Sequence, residues 1–168
     1  MTLKELNKLH TKDAIHWFLQ TCGATQWAYA MAQARPFASI EDVIAIAKKI
    51  WAEMNSEDKL EAFAAHPMIG DLSSLREKYA NTKEMASNEQ SGTSIADEAT
   101  LNALHKLNHD YLAKHGFIFI ICATGLSANT MLEALQKRLP NSTEQEMNIA
   151  AEQQIKITLL RINKGLSH

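Results

Sequence analysis

An all-α fold is predicted by three features: few helix breakers, apolar residues at helical spacing, and capping residues ahead of the apolar runs. The 168 residues include only six glycines and three prolines. Apolar residues recur mostly three and four positions apart, which places them on one face of a helix. At this length a single multi-helix domain over residues 1–168, with a sizeable core, is expected.

The elements follow in order. "TLKE" has the form of a capping box, with Thr2 and Glu5 satisfying each other's end of a first helix. "TKDAIHWFLQTC" and "ATQWAYAMAQA" read as two short helices, the second stopped by Arg35-Pro36. "SIEDVIAIAKKIWAEM" is amphipathic, with Ser39 as its cap, and "SEDKLEAFAA" follows with Ser56 as its expected cap. It runs into His66-Pro67. The residue before a proline is pushed out of the helical region, so His66 should stand where the backbone changes direction.

Residues 70–94 are the most polar stretch and read as short turns and loop. "DEATLNALHKLNHDYLAKHG" is a helix with leucines at 101, 104 and 107, then Tyr111, ended by Gly116. "FIFIICATG" breaks the pattern. It is a continuous apolar run with β-branched and aromatic residues, of a length that suits a strand or extended segment. No other stretch offers itself as a strand partner, so its backbone groups must find other hydrogen bonds or serve a ligand. "SANTMLEALQKRL", capped by Ser127 and closed by Pro140, precedes the longest helix, "STEQEMNIAAEQQIKITLLRINKG". Its expected buried stripe is Met147, Ala151, Ile155, Thr158 and Ile162, with Arg161 at the edge near Gln154.

The bulk properties exclude several function classes. A formal net charge of -2 argues against nucleic acid as partner. No stretch of roughly eighteen apolar residues is present to span a membrane. The N-terminus is too polar for a secretory signal, so a cytoplasmic protein with reduced Cys22 and Cys122 is expected. His105 and His109, four apart on a helix, have the spacing of a metal pair, but no third ligand is evident and a solvated helix face is the simpler reading. His115 reads as a helix-end histidine favoured by the dipole, and Cys122 as a small hydrophobe. No serine sits in a nucleophile elbow and no glycine-rich loop suggests a phosphate cradle. Alone, Glu89, Gln90 and Arg161 read as surface or core-edge residues.

The combination is more specific. "CGATQWAYAMAQARPF", "EAFAAHPMIGD", "NEQSG", "GFIFIICATG" and "EQQIKITLLR" occur in one order from about residue 8 to residue 163. Together they resemble the OHCU decarboxylases, OHCU being 2-oxo-4-hydroxy-4-carboxy-5-ureidoimidazoline. The resemblance implies an all-α homodimer that needs no metal or organic cofactor and converts OHCU to (S)-allantoin and carbon dioxide in urate breakdown. It places the catalytic histidine on His66 and its acidic partner on Glu89. It assigns substrate contacts to Pro67, Gln90 and Arg161, and to the main chain of Ile118, Phe119, Ile120, Ile121, Cys122 and Ala123. The chain departs from the family's usual pattern at Met68, where arginine is common, and at Ile118, where proline is common. It departs again at Ala86, where serine is common, so the serine role moves to Ser87. The alternatives are a non-enzymatic helical interaction module and, behind it, a metal-dependent hydrolase using His105 and His109.

Overall fold

The computed structural model describes residues 1–67 and 98–167. Among them are helices α1 (Leu3–Lys8), α2 (Thr11–Thr21), α3 (Thr25–Gln33), α4 (Ile40–Ala52), α5 (Ser56–Ala64), α6 (Glu98–His115), α7 (Ala128–Arg138) and α8 (Thr143–Gly165). No strand occurs among the described residues; a single parallel bridge joins Thr2 to Ser167. The all-α class is therefore as the breaker count and the periodicity required.

The helix starts follow from capping chemistry. Thr2 and Glu5 form the reciprocal box at α1, with Glu5 N to Thr2 Oγ1 at 3.2 Å and Thr2 N to Glu5 Oε2 at 2.8 Å. Ser39 Oγ accepts from Asp42 N at α4, and Ser127 Oγ from Thr130 N at α7. At α5 the cap lies one residue earlier than expected. Asn55 accepts from Asp58 N and Asp58 reaches back to Asn55 N, which leaves Ser56 as the first helical residue. Asparagine followed three residues later by an acid completes a box that Ser56 cannot. Helix α6 ends as the sequence implied, with Gly116 at φ 80°, a region that favours glycine.

Two compact units divide the chain: residues 1–66 with 149–168, and residues 67–148. In the first, α2 packs on α3, and α3 on α4 and α5. Phe18, Trp27 and Phe37 meet edge-on there, with ring centroids 5.8 and 6.2 Å from Phe18. Both buried indoles keep a partner, Trp27 Nε1 donating to the Ala47 carbonyl and Trp51 Nε1 to that of Ala151. In the second, α6 packs on α7 around Leu101, Leu104, Tyr111, Phe117, Ile120, Met131 and Leu135.

The buried stripe of α8 differs from the expected one. Ala151, Thr158 and Ile162 are buried as read, but Met147 and Ile155 are only half-buried. Their places are taken by Glu146, Ala150 and Gln154, and Glu146 and Gln154 are fully enclosed. A polar side chain goes inside when its hydrogen bonds are met there, and both of these are met. Apolar periodicity is blind to that condition.

Candidate active site

His66 is held from several directions within the first unit. Helix α5 ends at Ala64; Ala65 N bonds to the Glu61 and Ala62 carbonyls and His66 N to that of Phe63, at 3.2 Å. The Glu61 carboxylate accepts from both the backbone N–H and the hydroxyl of Thr25, each at 2.7 Å. That ties the last turn of α5 to the start of α3, whose own N-cap, Ala24, has no capping side chain. Gly23 completes the approach: a Cβ there would collide with the Ala65 side chain. The glycine of "CGATQW" thus lets the link between α2 and α3 touch the residue just before His66.

The imidazole is half-buried, and its Nε2 lies 2.6 Å from Gln154 Oε1. Gln154 Nε2 donates onward to Thr158 Oγ1 at 3.1 Å, one turn further along α8. Gln154 and Thr158 are both buried, so an uncharged polar pair lies inward of His66. Burial pushes the Cys22 thiol up to about 11, which keeps it protonated and unreactive at neutral pH.

Burial also lowers the His66 pKa from its ordinary value of 6.5; the Gln154 hydrogen bond opposes this, and the positive charge of Arg161 adds to it. At pH 7 the site therefore holds a neutral imidazole, able to take a proton and give it back. Arg161 is exposed, and its Nη1 reaches the Thr21 carbonyl at 3.4 Å, a long contact that leaves most of its donors for other partners.

The second unit contains the 118–123 segment. It is neither helix nor strand, with Ile120 buried and its neighbours, Cys122 among them, half-buried. Arg138 Nη1 donates to the Ile120 carbonyl at 2.7 Å, and Leu126 N to that of Ala123 at 3.1 Å. Arg138 is itself gripped by Glu146, with Nε to Oε1 at 2.8 Å, and its guanidinium lies 4.3 Å from the Phe119 ring centroid. Tyr111 donates to the same Glu146 oxygen at 2.6 Å and Asn141 to the other at 2.9 Å. Burial first, then the Glu146 hydrogen bond and charge, raise the Tyr111 phenol well above its ordinary value.

The expected site residues divide as follows. His66 and Arg161 belong to the first unit; Pro67, exposed, and the 118–123 segment belong to the second. Ser87, Glu89 and Gln90, like Met68, Gly70 and Ala86, lie outside the described residues, as does the whole polar 70–94 stretch. Sequence reasoning missed Gln154 as a partner of His66 and Arg138 as the anchor of the extended segment. A signal existed for the first: Gln154, Thr158 and Arg161 follow the four-and-seven spacing of one helix face. For Arg138 there was none, because an arginine in a last helical turn is ordinarily a surface cation.

His105 and His109 stack edge-on with ring centroids 4.7 Å apart. Among the described residues no group of three potential metal ligands includes them. His115 is more than a dipole partner: it is buried, with Nδ1 2.9 Å from Thr143 Oγ1 and Nε2 3.2 Å from the Leu139 carbonyl. No helix of the described residues is long and apolar enough to cross a membrane.

Comparison with known proteins agrees with this arrangement of the chain. A family model described as OHCU decarboxylase matches residues 7–163. The Arabidopsis thaliana "uric acid degradation bifunctional protein TTL" is 38% identical over 87% of the chain, which spans only 45% of that longer protein. A Haloferax volcanii 2-oxo-4-hydroxy-4-carboxy-5-ureidoimidazoline decarboxylase is 24% identical, with 99% of this chain and 97% of the relative aligned. Among solved structures, an OHCU decarboxylase crystallised in the presence of (S)-allantoin superposes with a TM-score of 0.74 at 35% identity, covering 92% of this chain and 99% of that one. The chain belongs to the OHCU decarboxylase family.

Proposed function

We propose that the chain is a cofactor-independent carboxy-lyase that converts OHCU to (S)-allantoin and carbon dioxide, a step of urate degradation. The family match supports this, as does the structural likeness to a decarboxylase crystallised with (S)-allantoin. The observation that carries the reading to named residues is the first unit's imidazole. His66 stands neutral at a proline-stopped helix end, anchored by Gln154 and acted on by the Arg161 charge. In the same reading residues 1–168 form one catalytic domain that works as a homodimer in the cytoplasm.

The substrate's chemistry explains why no cofactor is required. Loss of carbon dioxide leaves an electron pair on the ring carbon that bore the carboxylate. That carbon is conjugated to a ring imine, so the pair forms a carbon–carbon double bond while the imine nitrogen takes up charge and a proton. The neighbouring carbon then receives a proton on one face, and the hydroxyl gives up its own to become the ring carbonyl. The protein must align the scissile bond with the ring π system, stabilise charge on the ring heteroatoms and deliver the proton to one face. His66 takes the proton-handling role. Arg161 holds a carboxylate or carbonyl oxygen with its charged fork. Glu89 orients His66 or binds ring and ureido N–H groups, and Gln90 pairs with a ring amide through donor and acceptor. Ser87 and Pro67 complete the contacts, with the main chain of residues 118–123 lying along the substrate.

The test is direct. OHCU is generated in place from urate with urate oxidase and hydroxyisourate hydrolase, and its decay is followed with and without this protein. Accelerated decay with optically active (S)-allantoin is expected. Unchanged decay with racemic product would defeat the reading. It would favour the interaction-module alternative, whose sign is capture of a partner protein without small-molecule turnover.

A further inference from the structure

We propose that Gln154 is a positioning residue that fixes His66 in the tautomer with its proton on Nε2, leaving Nδ1 as the atom that takes and returns the proton. This deepens the carboxy-lyase reading and rests on it for the reaction, but the tautomer itself follows from geometry. An amide oxygen only accepts, and Gln154 Oε1 lies 2.6 Å from His66 Nε2, so that nitrogen must carry the hydrogen. The separation suits N–H···O and is short for the N–H···N contact that a reversed amide would make.

The amide is oriented by its other end. Gln154 Nε2 donates to Thr158 Oγ1, one turn further along α8. Every link inward of His66 is buried, so no water competes for the amide. A neutral amide restrains the ring without bringing a carboxylate beside it; its hydrogen bond works against the lowering of the His66 pKa by burial and Arg161 but does not reverse it. Among the described residues His66 Nδ1 has no partner. The buried His115 differs, because both of its ring nitrogens are occupied.

The experiment uses the full chain labelled with 15N-histidine. The His66 signals, identified by their loss in His66→Ala, report which ring nitrogen is protonated at neutral pH. A protonated Nε2 and an unprotonated Nδ1 are expected in the wild type, and a mixture of tautomers in Gln154→Leu. In the OHCU assay, Gln154→Leu is expected to lower kcat by about tenfold to a hundredfold with KM changed little, since a general acid–base group contributes about 10²- to 10⁴-fold when correctly held. Gln154→Glu keeps an acceptor facing Nε2. It should preserve the tautomer and restore part of kcat, while its charge moves the acid limb of the pH profile upward, a shift that a purely structural residue would not cause. Circular dichroism checks that the variants keep their helices. A wild type protonated on Nδ1, or a Gln154→Leu variant with unchanged tautomer and kcat, would overturn the assignment. A wild type inactive on OHCU would instead overturn the carboxy-lyase reading, and the tautomer in the same sample would still decide what Gln154 does.

Discussion

The two units each enclose a polar cluster with a histidine near it, and the two clusters are built on opposite plans. In the second unit the cluster is charged: Arg138, Tyr111 and Asn141 all bond Glu146, and nearby His115 spends both ring nitrogens on Thr143 and Leu139. In the first unit the pair Gln154–Thr158 is uncharged and ends on His66, whose Nδ1 has no partner among the described residues. A charged cluster centred on one carboxylate stiffens what it holds, here the carbonyl of Ile120 in the extended segment. An open neutral one positions a group and leaves it free to react. Burial and bonding alone therefore do not make a histidine able to exchange a proton; a ring nitrogen left free of other bonds is also needed.

The largest effect expected from breaking this contrast is on stability. Glu146→Leu removes the partner of a buried guanidinium and the acceptor of the Tyr111 phenol together. It should destabilise the protein by about 3–5 kcal/mol, the cost of leaving one buried charge unpaired, measured by urea denaturation. A loss within a few tenths of a kcal/mol would mean that the cluster does not hold its unit together.

A smaller loss is expected at the other unit's tightest contact. Gly23→Ala pushes on the Ala65 side chain, which cannot retreat far with Glu61 tied to Thr25 one turn away. Overpacking of this kind costs about 1–3 kcal/mol. Because Ala65 directly precedes His66, turnover should fall as well. Full activity in this variant would show that the position of the turn is not critical.

The gentlest probe is pH. His66 has a lowered folded-state pKa, so below 6.5 the unfolded chain binds its proton more readily than the folded protein does. Its stabilising contribution is complete at neutral pH, declines as pH falls through 6.5, and levels off once the folded imidazole also protonates. Tyr111 acts at the opposite end: its raised pKa keeps the folded phenol protonated, so stability declines as pH rises above 10.0. Comparing wild type with His66→Ala and with Tyr111→Phe in thermal melts should remove the acid and the alkaline component separately. If both variants keep the full pH dependence, these two groups do not set it.

Much of the fold was legible because helix formation is mostly local chemistry. Periodicity located the helices, and the caps at Thr2, Ser39 and Ser127 were readable from side chains that accept a nearby N–H. Asn55 was passed over for Ser56 because both are good caps, and only the reach of Asp58 decides between them. The apolar run at 117–125 announced itself as an exception, and the need for non-strand partners was correctly inferred. The identity of that partner was not, because Arg138 belongs to another helix and long-range pairing leaves no local mark. The reading of α8 failed at Glu146 and Gln154 for the same reason. What buries them is the satisfaction of their hydrogen bonds by particular side chains, Tyr111 for Glu146 and His66 for Gln154 among them, which apolar periodicity does not report. For the site, His66 stood out through its proline, but the resemblance to a known family carried more of the assignment than the residues alone did.

In the proposed reaction the half-buried imidazole of His66, held by Gln154, handles the proton. The most direct measurement is the OHCU assay run on wild type and His66→Ala side by side, reading both rate and optical activity. The account predicts that the variant keeps its helical circular dichroism while turnover falls by about 10²- to 10⁴-fold. The allantoin then formed should approach the racemic product of the spontaneous reaction. A His66→Ala protein that still makes (S)-allantoin at the wild-type rate would contradict it.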